Sequence, residues 1–213
     1  DRIRNGRLEP WEWEQLDIRI KSLVEAPIFI DDTPAISIFE LRAKCRRLKN
    51  LYDVQAIVID YLQLMSGSSD IKGSREQEVS NISRSLKGIA KELNVPIIAL
   101  SQLNRSVELR AGTKKPQLSD LRESGAIEQD ADIVIFIHRP EKYGFTIDSE
   151  GNSLKGIAEI IVAKHRNGAV GEIVLKFKEE FAKFVDLDVV EPVFDDSPVI
   201  TYGSKMNSEN HKN

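Results

Sequence analysis

Apolar positions along the chain follow two rhythms, one helical and one continuous. Trp13, Leu16, Ile20, Leu23 and Val24 recur at helical spacing behind Pro10, a good first-turn residue, and predict a helix that ends at Pro27. Ile28-Phe29-Ile30 predicts a short buried strand closed by Asp31-Asp32. Ser37 with Glu40 three residues on is a capping-box signature, and Ile38, Leu41, Cys45 and Leu48 make the apolar stripe of a second helix. Arg42, Lys44, Arg46, Arg47 and Lys49 crowd its other faces. A strand, Ala56-Ile57-Val58-Ile59, ends in Asp60. Beyond the Gly/Ser-rich loop Ser66 to Gly73, Ser74 and Gln77 form another capping signature, and Val79, Ile82, Leu86, Ile89, Ala90 and Leu93 repeat strongly until Asn94. The strand Ile97-Ile98-Ala99-Leu100 follows. A long polar stretch from Asn104 to Asp130 predicts an extended loop, a type often functional. The apolar run Ile133 to Ile137 predicts another buried strand.

Helices alternating with all-apolar runs predict an α/β fold with a mostly parallel sheet covered by helices on both faces. The rhythm changes near residue 156. Ile157 to Ala163, a turn at Asn167-Gly168, Glu172 to Phe177 and Phe181 to Val185 predict antiparallel strands closing the sheet. From Asp186 the chain becomes acidic and Pro-containing, and Ser204 to Asn213 has the composition of a disordered end. The domain reading is therefore 1–186 for the folded unit and 187–213 for a tail.

Composition narrows the class. Of 213 residues, 41% are hydrophobic and 30% charged, ordinary for a globular domain. A net charge of -4 means that any nucleic-acid site must be local. One cysteine, Cys45, excludes an internal disulfide and fits a reducing compartment. No apolar run reaches the ~20 residues of a membrane helix, and the N-terminal residues lack the apolar core of a secretory signal.

Four segments carry candidate chemistry. Asp60 ends an apolar strand at the edge where ligands of open α/β sheets bind, and an Asp there can organise magnesium on phosphates. Taken alone the signal is weak, and a capped strand end explains it more readily. Gln102, in Ile97-Ile98-Ala99-Leu100-Ser101-Gln102, puts an amide after a neighbouring strand, where it could hydrogen-bond a terminal phosphate or simply be a satisfied strand terminus. Ser119 to Glu128 combines Arg122 with Gly125 and could grip nucleic-acid phosphates, or be a solvated connector. Lys164 and Arg166 flank a hairpin turn, suited to stabilising phosphoryl charge in a neighbouring subunit or to an ordinary basic surface. His138 and His165 lack metal-ligand spacing.

Taken together, these segments resemble the bacterial replicative DNA helicase family of DnaB type. The likeness rests on Val58-Ile59-Asp60-Tyr61-Leu62-Gln63-Leu64, Ile82-Ser83-Arg84-Ser85-Leu86-Lys87, Ala99-Leu100-Ser101-Gln102-Leu103-Asn104-Arg105, Asp120 through Asp132, and Ala163-Lys164-His165-Arg166-Asn167-Gly168, in order and at the family's spacing across residues 1 to about 186. The resemblance implies a RecA-like P-loop NTPase core and an ATP-dependent helicase acting on single-stranded DNA during replication. It implies a homo-oligomeric, usually hexameric ring, ATP and Mg2+ as cofactors, and a bacterial cytoplasmic, nucleoid-associated setting with no membrane. Primase and a helicase loader would meet it through the full-length protein. Carried over residue by residue, Asp60 resembles the Walker B acid that holds Mg2+ through water. Gln102 resembles the γ-phosphate sensor, and Lys164 and Arg166 the pair that reaches a neighbour's nucleotide. Arg122, Glu123 and Gly125 match the DNA loop, Arg122 by charge and the other two through backbone N–H groups. His165 stands where the family is expected to carry Gln.

No G-x-x-x-x-G-K-[ST] phosphate loop occurs in the sequence. The family's phosphate-loop strand and catalytic Glu are thus expected upstream of this stretch, and the stretch alone is expected to be inactive and poorly stable. Two other functions fit less of the pattern: a non-catalytic module that joins or modulates helicase rings, and a RecA-like repair ATPase.

Overall fold

The computed structural model describes residues 2–3, 5–67 and 74–187; side-chain description stops short of residues 122–125 as well. Most of the loop Ser66 to Gly73, and all of the expected tail beyond Leu187, therefore lie outside the described residues. Helix α1 spans Pro10–Val24. It opens on a capping box between Glu9 and Glu12, and Arg2 pairs with Glu12 at 2.7 Å. None of its residues is buried, so the stripe expected to pack inward stands in solvent.

Ile28-Phe29-Ile30 does not form the expected buried strand. The segment pairs with no ladder and is exposed, with Ile30 at 90%. Phe29 instead stacks on Tyr52 with ring centroids 4.4 Å apart. An apolar tripeptide becomes a strand only where a neighbouring backbone edge receives it, and none of the described strands does so.

Helix α2, Ile38–Tyr52, starts at Ser37, whose hydroxyl accepts from Glu40 N–H at 3.2 Å, and stops at Asp53 in the left-handed conformation. Helix α3, Arg75–Leu93, is capped by Ser74 through Gln77 N–H at 3.4 Å and stops at left-handed Asn94. Its predicted stripe is the centre of the core. Val79, Ile82, Leu86 and Ile89 are buried against Ile38 and Cys45 of α2 and against Ile59, Leu62, Met65 and Ile127.

Strands β1, Ile57–Ile59, and β2, Ile97–Ala99, pair in parallel, Ile59 opposite Ala99. Strands β3, Ile133–His138, β4, Ile157–His165, β5, Gly171–Lys178, and β6, Lys183–Val185, form a separate antiparallel sheet in that order. Among the described residues the fold is therefore α/β with parallel pairing in the smaller of its two sheets. Among the described residues β3, expected within the parallel sheet, pairs with β4 and has no ladder to β2.

Cover on both faces is also met on one face only among the described residues. Ile57, Ile59 and Ile97 face α2 and α3, while Val58 and Ile98 on the opposite face are exposed. In β3, Val134 and Phe136 pack on Leu121, Leu118, Leu103 and Ala131, whereas Ile133, Ile135 and Ile137 are bare. Burial on one side only is the reason an all-apolar strand alternates between buried and exposed here.

The long polar stretch is not an open loop. It holds α4, Ser106–Leu109, a 3-10 turn over Leu118–Ser124, and α5, Gly125–Asp130, which packs on α3.

Candidate nucleotide and nucleic-acid site

Two of the predicted residues follow neighbouring strands at the same end of the sheet. Because β1 and β2 run parallel in register, both chains leave the sheet at the same end. Leu100 N–H donates to Ile59 C=O at 2.9 Å, and Leu62 N–H to Leu100 C=O at 2.9 Å. Asp60 follows β1 through a cis Asp60–Tyr61 peptide and is exposed. Its carboxylate makes no hydrogen bond or ion pair with any described residue. Gln102 leaves β2 on the same side, also exposed, with its side-chain amide unbonded to any described residue. It borders a cleft of about 280 Å³ lined also by Gln63, Ser101, Arg75 and Asp120.

Magnesium keeps much of its shell as water and phosphate oxygen and takes one or two protein carboxylates. An exposed, unpaired Asp60 at a strand end fits that demand. Among the described residues there is no group of three or more His, Cys, Asp or Glu able to cage a metal.

Lys164 and Arg166 gather elsewhere, at the end of β4 that pairs with the start of β3, Lys164 opposite Val134. Lys164 Nζ donates to Glu128 C=O at 2.5 Å and Gln129 C=O at 3.3 Å, a cation on the last carbonyls of α5. Arg166 Nη2 reaches Gln129 C=O at 3.5 Å, and its Nη1 lies 3.3 Å from Asp132, which also pairs with Lys87 of α3. The Lys87 ammonium holds the Asp132 carboxyl below the usual carboxylate range. Half of the Arg166 side chain stays in solvent. Neither cation bonds to Asp60 or Gln102 of its own chain. The His165 ring lies over Gly168, so a Cβ there would require the exposed ring to move aside.

Arg122, Glu123 and Gly125 stand where the 3-10 turn runs into α5, and their side chains lie outside the described residues. What anchors this segment is Asp120, buried at 5% exposure. It accepts from Gln117 N–H at 2.7 Å and pairs with Arg110, which also donates to Lys115 C=O at 2.9 Å.

The basic residues of α2 are mostly neutralised. Arg42 and Arg46 pair with Glu92, Lys44 with Asp31 and Glu40, and Lys49 with Asp53. The pairing of Asp31 with Lys44 lowers its pKa to about 2. This face therefore offers little free charge to a phosphate backbone.

Sequence reasoning assigned no part to Gln63, Arg110 or Lys87. Gln63 and Lys87 sit inside the matched stretches, but only the folded chain supplies their partners. The buried His138, whose Nδ1 is hydrogen-bonded to Glu159 Oε2 at 2.9 Å, is likewise a polar contact revealed only by the β3–β4 register.

The chain is 55% identical over 186 residues to the replicative DNA helicase DnaB of Geobacillus stearothermophilus, covering 87% of this chain and 40% of that relative. It is 53% identical over 197 residues to the replicative DNA helicase DnaC of Bacillus subtilis (strain 168), covering 92% and 41%. A solved DnaB-like replicative helicase, described with its interactions with primase, superposes with TM-score 0.75 at 40% identity, covering 85% of this chain and 42% of that one. A solved ATPase domain superposes with TM-score 0.78 at 40% identity, covering 88% and 65%. The chain thus spans about 40% of the length of the curated relatives it matches. The DnaB-like helicase C terminal domain family matches residues 1–186, that is, from the segment before α1 through β6, and the chain belongs to that family.

Proposed function

We propose that this chain is part of a replicative helicase motor that couples ATP hydrolysis to 5′-to-3′ movement on single-stranded DNA. The observation that carries the reading is the pair Asp60 and Gln102, a carboxylate and an amide without described partners, at the common end of two parallel strands. Residues 1–186 would form the motor portion and 187–213 a tail.

In this reading Asp60 would hold Mg2+ through water by its negative charge. Magnesium bound with ATP supplies the positive charge that offsets the terminal phosphates. Gln102 donates its amide N–H to a γ-phosphate oxygen and registers its loss. The phosphate loop of the same fold would cradle the β- and γ-phosphates from upstream. Lys164 and Arg166 serve the nucleotide of the neighbouring subunit in a ring, usually of six, because in their own chain they face α5 rather than Asp60. Arg122 binds a DNA phosphate by charge, and Glu123 and Gly125 do so through backbone N–H groups, since a carboxylate repels phosphate. Primase and loader contacts, and a cytoplasmic, nucleoid-associated setting, belong to the full-length protein.

The test is ATP hydrolysis with and without single-stranded DNA, comparing this chain with one extended upstream through the phosphate loop. Activity confined to the extended chain and lost in Arg166→Ala supports the reading. Hydrolysis by the present chain alone refutes its account of the phosphate site.

A further inference from the structure

We infer that Gln63 is a positioning residue that clamps the sensor segment to the turn carrying Asp60. The inference rests on reading Gln102 as the phosphate sensor. Backbone bonding between the two segments runs past the β1–β2 pairs as far as Leu62 N–H on Leu100 C=O, and Gln102 lies beyond it. There the Gln63 side chain continues the pairing that the backbone has stopped making. Its Oε1 accepts from Gln102 N–H at 3.2 Å, and its Nε2 donates to Gln102 C=O at 3.3 Å and to Ser101 Oγ at 3.0 Å. A primary amide is the side chain suited to this, because it presents a donor and an acceptor side by side, as a peptide unit does. The reciprocal pair also fixes which end of the amide faces which group.

The clamp is itself held. Arg75, at the start of α3, donates Nη2 to Gln63 C=O at 2.6 Å and to Met65 C=O at 3.1 Å, and pairs with Glu78. The other side of the segment runs on to Asn104, whose N–H donates to Asp120 C=O at 3.3 Å at the head of the proposed DNA segment. Gln63 thus fixes the backbone of Gln102 relative to Asp60, three residues from itself. It leaves the Gln102 side chain free for a phosphate. Gln63 would not touch nucleotide; it acts through where it holds Gln102.

Full-length helicase carrying Gln63→Met, which keeps the shape and removes all three hydrogen bonds, is compared with Gln102→Ala and the double variant. Gln63→Met is expected to lower DNA-stimulated kcat about 10-fold, the effect of roughly one well-placed hydrogen-bond pair on a rate. KM for ATP should stay within about twofold, since the nucleotide's binding groups are elsewhere. In the Gln102→Ala background the same substitution should cost less than about twofold, because it has no sensor left to misplace. Should Gln63→Met fail to assemble, Gln63→Glu carries the same comparison, as it keeps the acceptor for Gln102 N–H and sets a carboxylate oxygen against Gln102 C=O. Unchanged kcat in the Gln63 variant with Gln102→Ala impaired overturns the clamp alone, as does a full additive loss in the double variant. Unimpaired Gln102→Ala overturns the sensor reading, and the clamp falls with it.

Discussion

Arg110→Met should loosen the segment that leads into α5. The Asp120 side chain is 3% exposed and that of Arg110 is 30% exposed. Removing one partner of a fully buried ion pair costs about 3–5 kcal/mol, because the remaining charge is left uncompensated. Two features reduce this. Gln117 N–H still serves one Asp120 oxygen at 2.7 Å, and a partly exposed Arg110 gains less from its pair. Methionine also fills much of the space left by the arginine stem. The expected loss is about 2 kcal/mol. For a domain of this length it corresponds to a fall of about 4–8 °C in the melting temperature. Thermal unfolding of full-length helicase, followed through the motor domain, measures it. Single-stranded DNA affinity, from fluorescence anisotropy, should weaken in parallel while KM for ATP holds. Adding Asp120→Asn should restore more than half of the lost stability, because the buried charge is then gone. A melting temperature within 1 °C of the parent, or a double variant no better than the single, refutes the argument.

Three further outcomes follow from other parts of the molecule. Lys44 donates to the Asp31 carboxylate and, with Thr33, lowers its pKa to about 2. A depressed carboxylate stabilises the fold above its ordinary pKa near ~4 and loses that contribution as pH falls towards 2. NMR titration should therefore place the Asp31 midpoint near 2 and move it back towards ~4 in Lys44→Met; an unmoved midpoint excludes Lys44 as the cause. Lys164→Met removes the cation from the Glu128 and Gln129 carbonyls and should destabilise the α5 end by about 1 kcal/mol, with faster amide exchange in α5 than in α3; equal exchange in variant and parent argues against the cap. The isolated 213-residue chain should bind a hydrophobic dye and self-associate, since Val58, Ile98, Ile133, Ile135 and Ile137 stand exposed on sheet faces. A monodisperse monomer with a cooperative melt would overturn that expectation.

The sequence alone determined what depends on near neighbours. Ser37 and Ser74 accept from N–H groups three residues on, Asn94 takes a left-handed stop, and Val79, Ile82, Leu86 and Ile89 bury together because their spacing matches one helical face. The strand-end positions of Asp60 and Gln102 were legible for the same reason, since an apolar run that meets a polar residue ends there. Tertiary structure decided whatever needs a partner from far along the chain. Ile28-Phe29-Ile30 has a strand's composition and α1 an apolar stripe, but among the described residues no edge receives the first and no surface buries the second. β3 reads as a parallel-sheet strand, yet its partner is β4, because a continuous apolar run records burial and not direction. Gln63, Arg110 and Lys87 gained their contacts only when Gln102, Asp120 and Asp132 were brought against them from 39, 10 and 45 residues away. Local spacing fixes which backbone forms, whereas hydrogen bonds and ion pairs across such separations exist only once the chain has closed on itself.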